Sequence, residues 1–152
     1  MRLVAIAGYQ DSGKTTLIER LVPTLGERGR VGTVKSIHHD VEVDTPGKDT
    51  HRHRTAGADA VVGVTPSLSF QVRREAEEHD GDRRLERGLD LLGDGFAFVL
   101  AEGFKAVPVP TVLVGDVARS AVEGEILARV SDPATADVTA LADRIEARGA
   151  EV

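Results

Sequence analysis

The chain has 152 residues, 41% of them hydrophobic, 29% charged and 3% aromatic, with 16 glycines, no cysteine and a formal net charge of −6. That length suits a single domain, residues 1–152, burying roughly two-thirds of its unfolded surface, and the acid excess argues against broad attraction to nucleic acid or anionic lipid. Without cysteine there is no disulfide, thiol nucleophile or Cys-ligated metal, and no apolar run nears the ~20 residues of a membrane span or forms a signal peptide, so a cytoplasmic, membrane-free protein is expected.

Leu3–Ala7 is a short continuous apolar run, the pattern of a strand buried on both faces, and it ends at Gly8. From Lys14 to about Arg28, Leu17, Ile18, Leu21, Val22 and Leu25 recur at helical spacing; Pro23 should kink or shorten that helix, and Gly29 is a plausible stop. Val31–Ser36 reads as a second strand. Ile37–His53 reads as a long polar loop around Pro46-Gly47, and a loop of that length is usually functional. A short helix is expected over Thr50–Gly57, with strands over Ala60–Val64 and Leu68–Val72. The charge cluster Arg73–Arg84 reads as a solvated connection, and Leu85, Leu89 and Leu92 suggest a helix packed on the sheet. Phe96–Ala101 and Thr111–Val114 complete the apolar strands. The last helix is expected to start at Asp132 as N-cap with Pro133 in its first turn, and to show Val138, Leu141, Ala142 and Ile145 on one face. Strands alternating with helices predict an α/β fold with a mostly parallel sheet flanked by helices.

Gly8-Tyr9-Gln10-Asp11-Ser12-Gly13-Lys14-Thr15 satisfies G-x-x-x-x-G-K-[ST] in full, between a buried strand and an amphipathic helix as a P-loop requires. Gly8 and Gly13 admit backbone conformations that let successive N–H groups converge on phosphate oxygens, and the helix start adds its positive dipole end. Gln10, Asp11, Ser12 and Thr16 belong to the same cradle. Lys14 is expected between the β- and γ-phosphates, where it acts catalytically by neutralising charge, and Thr15 is expected on Mg²⁺. Glu102, at the tip of the Phe96–Ala101 strand, is the expected second carboxylate, placed to hold a metal-bound water or polarise the attacking one.

Beyond the P-loop, three segments narrow the family: Lys35-Ser36-Ile37-His38-His39-Asp40, the block Asp44 to Ala58 containing Pro46-Gly47-Lys48-Asp49-Thr50-His51-Arg52-His53-Arg54, and Glu102-Gly103-Phe104-Lys105. Together they resemble the molybdopterin-guanine dinucleotide biosynthesis protein B family (MobB-type GTP-binding proteins) from Leu3 to about Lys105. The resemblance implies a homodimeric P-loop protein that binds GTP with Mg²⁺ and hydrolyses it weakly. It implies an adapter role in attaching GMP to molybdopterin, with a MobA-type nucleotidyltransferase and molybdopterin itself as partners. It makes Ile37–Arg54 the nucleotide-sensing segment and Asp49 a Mg²⁺-shell carboxylate. Arg52 and Arg54 fall near phosphate or at the dimer interface, with Lys35, His39 and Lys105 as further ligand contacts. Ser36 stands where the family usually has His, and Pro110–Asp116 departs from the family strand that follows E-G-F-K. There is no N-K-x-D motif, so guanine over adenine follows from the resemblance alone.

Four of the five histidines, His38, His39, His51 and His53, fall within sixteen residues, but mixed spacing without cysteine favours solvated or phosphate-facing side chains over a stable metal site. Two other functions share the motif. One is a small P-loop kinase transferring a γ-phosphoryl group to a metabolite; the other is a scaffold that holds nucleotide without turnover.

Overall fold

The structure, a computed structural model, describes residues 1–75 and 81–152. They divide into two compact units, residues 1–36 with 79–152, and residues 37–78.

The larger unit is built on β1 (Arg2–Gly8), β2 (Val31–Lys35), β5 (Phe98–Glu102), β6 (Thr111–Val114) and β7 (Ile126–Val130), hydrogen-bonded in parallel in the order β2-β5-β1-β6-β7. The two-residue β8 (Ala150–Glu151) pairs antiparallel with the start of β1. Parallel strands need crossovers: α1 (Lys14–Gly26) lies between β1 and β2 and α3 (Gly81–Leu92) precedes β5, while α4 (Val138–Arg148) links β7 to the antiparallel β8. The central strand alternates its side chains between two apolar layers. Val4 and Ile6 pack with Leu17, Leu21, Leu25, Leu141 and Ile145 of α1 and α4. Leu3 packs with Leu85, Val99 and Ala101 on the α3 side. Pro23 lies inside α1 without ending it. The helix instead closes where the Gly29 N–H reaches the Leu25 carbonyl.

The smaller unit holds α2 (Asp49–Thr55) and an antiparallel hairpin of β3 (Ala60–Val64) and β4 (Ser69–Arg73), a sheet of its own. The segment expected to be a loop up to His53 therefore already turns helical at Asp49. Arg54 Nη2 donates to both oxygens of Glu42 (2.5 and 2.6 Å), and the Gly47 N–H donates to His51 Nδ1 (3.2 Å). These side-chain contacts tie residues 42–47 to the helix.

Three expectations need correction. The last helix starts at Val138, and Asp137 is its N-cap, its Oδ1 accepting from Ala140 N–H (3.0 Å). Asp132 instead closes the preceding turn, accepting from Ala134 N–H and the Thr135 hydroxyl, because the apolar face that fixes the helix begins only at Val138. Strands β7 and β8 went unforeseen: Arg129 interrupts the apolar run of β7, and its guanidinium turns away to the Val117 carbonyl (2.7 Å). The expected solvated connection Arg73–Arg84 is shorter than its charge suggests, since Arg73 ends β4 and α3 is under way from Gly81; residues 76–80 lie outside the described residues. Among the described residues no helix is long and apolar enough to cross a membrane.

Candidate functional site

The carboxyl ends of the parallel strands meet at β1, between β5 and β6, where open α/β sheets bind ligands. Residues 9–13 leave β1 there and enter α1. Two positions make the loop what it is. A Cβ on Gly8 would overlap the Ser12 hydroxyl and stand 2.7 Å from the Val114 carbonyl oxygen, so only glycine lets the loop pass. Gly13 is left-handed (φ 85°), as is Asp11 (φ 58°), a rare conformation for a non-glycine residue that marks a loop held by its surroundings. Successive N–H groups in such a turn form a concave anion nest.

The side chains in the loop agree with that use. Ser12 Oγ is buried and makes no hydrogen bond, a donor left without a partner. Lys14 is half-buried and folds back over the loop, Nζ donating to the Tyr9 carbonyl at 2.6 Å. Gln10, Thr15 and Thr16 are exposed at the mouth of the site and the first turn of α1. Ser12 and Gly13 are backed by the loops after β6 and β7: Gly115 lies against Ser12, and the ring of Pro133 lies against Gly13. Arg20 of α1 fixes this second loop by donating to the Pro133 carbonyl (2.5 Å).

On the other side of β1 stands Glu102, opposite Ile6 in one register and Lys35 in the other. Its carboxylate is only 12% exposed and pairs with Lys35 Nζ at 3.1 Å, while the lysine is 55% exposed. The two residues expected to contact ligand separately therefore form one ion pair at the strand ends. Past them, Phe104 is buried and anchors the chain, and Lys105 places its ammonium 4.9 Å from the centre of the Tyr9 ring. A cation over an exposed aromatic face contributes about 0.5–1 kcal/mol. Tyr9 is the residue that sequence reasoning passed over. The signal was available, since it is the chain's only tyrosine and lies inside the phosphate loop.

His39, Asp49, Arg52 and Arg54 belong to the smaller unit. Asp49 opens α2 with its side chain 90% exposed, and Arg52, 4.0 Å from it, is 73% exposed. Asp49, Arg52, His53, Thr55 and Ala56 line one shallow depression. His39 is exposed. Arg54, expected near phosphate or at an interface, is engaged with Glu42. That carboxyl is held below its ordinary value, first by the Asp44 N–H and then by Arg54. Asp44 is lowered as well, mainly by the Thr50 hydroxyl. Among the described residues no three His, Asp or Glu side chains come together in a way that could hold a metal ion.

A family model described as molybdopterin guanine dinucleotide synthesis protein B matches residues 3–143. The chain is 36% identical over 118 residues to the molybdopterin-guanine dinucleotide biosynthesis adapter protein of Haemophilus influenzae, covering 74% of this chain and 62% of the relative. It is 33% identical over 114 residues to the adapter protein of Escherichia coli, covering 74% and 64%. The chain thus spans somewhat less than two-thirds of the length of these curated relatives. A crystal structure of molybdopterin-guanine biosynthesis protein B superposes with a TM-score of 0.70 at 29% identity, over 95% of this chain and 97% of that one. Sequence, fold and loop geometry agree, and the chain belongs to the molybdopterin guanine dinucleotide synthesis protein B family.

Proposed function

We propose that this chain binds GTP with Mg²⁺ in the loop from Gly8 to Thr16, hydrolyses it slowly, and acts as a cytoplasmic, homodimeric adapter. The step it would assist is conversion of molybdopterin to its guanine dinucleotide form by the partner nucleotidyltransferase. The observation that carries the reading is the loop itself. It combines a glycine that the Val114 carbonyl forbids to be anything else, two left-handed residues, and a buried hydroxyl without a partner. These features suit phosphate oxygens, which accept from several N–H groups at once. The adapter role rests on what the similar proteins from Haemophilus influenzae and Escherichia coli are called.

In this reading Lys14 exchanges the neutral Tyr9 carbonyl for a charged phosphate oxygen, a stronger acceptor. Ser12 Oγ gains the partner it lacks. The Thr15 hydroxyl would hold Mg²⁺, which when bound would supply neutralisation of phosphate charge. Glu102, already paired with Lys35, suits a hydrogen bond to water better than direct coordination.

The test is a reconstituted conversion of molybdopterin to the guanine dinucleotide by the nucleotidyltransferase, with GTP, in the presence of the wild-type chain or Lys14→Ala. The wild-type chain should raise the yield and the variant should not. Equal stimulation by both would remove nucleotide binding from the adapter role.

A further inference from the structure

Two of only four lysines in this acidic chain converge on one residue of the phosphate loop. Lys14 Nζ lies on the Tyr9 carbonyl, and Lys105 Nζ stands over the Tyr9 ring. Neither makes an ion pair with a carboxylate among the described residues, and the carboxylate that ends β5 alongside them, Glu102, is already matched by Lys35. Lys14 and Lys105 therefore bring two positive charges to Tyr9 that no ion pair among the described residues neutralises.

The opposite end of the same loop differs in charge. Ser12 and Gly13 are backed by Gly115 and Pro133, and the residues flanking those contacts, Asp116 and Asp132, are exposed acids, with Arg20 on the Pro133 carbonyl as the nearby base. A nucleoside triphosphate has matching polarity: its terminal phosphate concentrates negative charge, and its sugar and base carry none. Placing the terminal phosphate beside Asp116 and Asp132 would set like charges together, whereas the Tyr9 end opposes them with Lys14 and Lys105.

We infer that Lys105, perched on the Tyr9 ring, is the residue that selects the triphosphate over the diphosphate, by moving onto the terminal phosphate at the Tyr9 end of the loop. This rests on the proposed nucleotide site and deepens it. The ring suits such a device, since a π face holds an ammonium without neutralising it and releases it to a phosphate oxygen at little cost. Backbone contacts keep the base of the lysine in place: Phe104 is buried, and the Lys105 carbonyl accepts from Glu123 N–H at 3.1 Å. Only the side chain has to move.

The experiment is fluorescence titration of GTP and GDP, each with Mg²⁺, against the wild-type chain, Lys105→Met, Lys105→Arg and Tyr9→Leu, with circular dichroism as a check on folding. Loss of one charge-assisted contact should weaken GTP at least about tenfold in Lys105→Met and leave GDP within about twofold. Lys105→Arg should recover most of the GTP affinity. Tyr9→Leu should shift the GTP/GDP ratio in the same direction by a smaller factor. Equal weakening of both nucleotides in Lys105→Met, or no weakening, overturns the assignment while the phosphate loop stands. A wild-type chain that binds neither nucleotide overturns the site itself, and this inference with it.

Discussion

The two units of the molecule are stabilised by different physics. In the larger unit Leu3 to Ala7, Leu17, Leu21, Leu100, Val112 to Val114 and Ile145 are all at 1% exposure or less, a two-layer apolar core around a parallel sheet. In the described part of the smaller unit Val61 is the one buried hydrophobic residue, and Val62, Val64 and Leu68 are exposed. What orders it is polar: Arg54 on Glu42, His51 on Gly47, Asp44 on Thr45. Apolar burial is non-directional and large in sum, whereas exposed charged contacts contribute little each and depend on pH and salt. The lesson is a division of labour. The loop from Gly8 leaves the sheet held by apolar burial, whereas the segment expected to sense nucleotide is held by exposed polar contacts.

The largest expected effect comes from attacking the core beneath the loop. Ile6→Ala should cost about 2–5 kcal/mol in urea unfolding, by lost burial plus a residual cavity. A loss well under 1 kcal/mol would mean the sheet is not the stabilising element. Next is a change in binding without a change in stability: Lys14→Ala should abolish nucleotide binding and leave the unfolding midpoint in place, because its ammonium meets only a carbonyl of its own loop. Arg54→Ala should do the reverse of Ile6→Ala. Limited proteolysis within residues 37–58 should accelerate several-fold while the global midpoint stays put, since only the smaller unit loses its tie. If the midpoint falls with it, the two units are not separately stabilised.

The smallest effect is a pH dependence. Glu42 and Asp44 are lowered in the folded chain from ordinary values of 4.5 and 3.8. Groups depressed on folding stabilise when ionised, so their contribution is complete above those values and is lost as pH falls through the lower folded ones. Amide spectra recorded from pH 6 downward should show residues 42–54 shifting below about pH 4.5 while β1, β5 and β6 hold. Simultaneous loss of both sets would contradict the separation.

What could be read from the sequence follows the same divide. The strand Leu3–Ala7, the loop from Gly8 and the helix from Lys14 are local features whose patterning, glycines and amphipathic spacing all agree, so they were legible. In the smaller unit the helix and both hairpin strands were legible from local pattern, but residues 42–47 looked like polar loop because their order comes from side-chain pairs such as Glu42 with Arg54, twelve residues apart, that leave no periodic trace. The start of α4 was misplaced because Asp132 and Asp137 are equally good caps, and only burial from Val138 onward distinguishes them. The Lys35–Glu102 pair depends on β2 lying beside β5, a non-local register, and the meeting of Tyr9 with Lys105 depends on the same sheet order. Each lysine was legible as a candidate, but its partner was not.

The most direct test of the account is calorimetric titration of the wild-type chain with GTP, GDP and ATP, each with Mg²⁺ at matched salt, alongside Lys14→Ala. The account predicts saturable one-site binding that favours GTP and disappears in the variant. Binding that favours ATP, or GTP binding that survives Lys14→Ala in a folded protein, would contradict it.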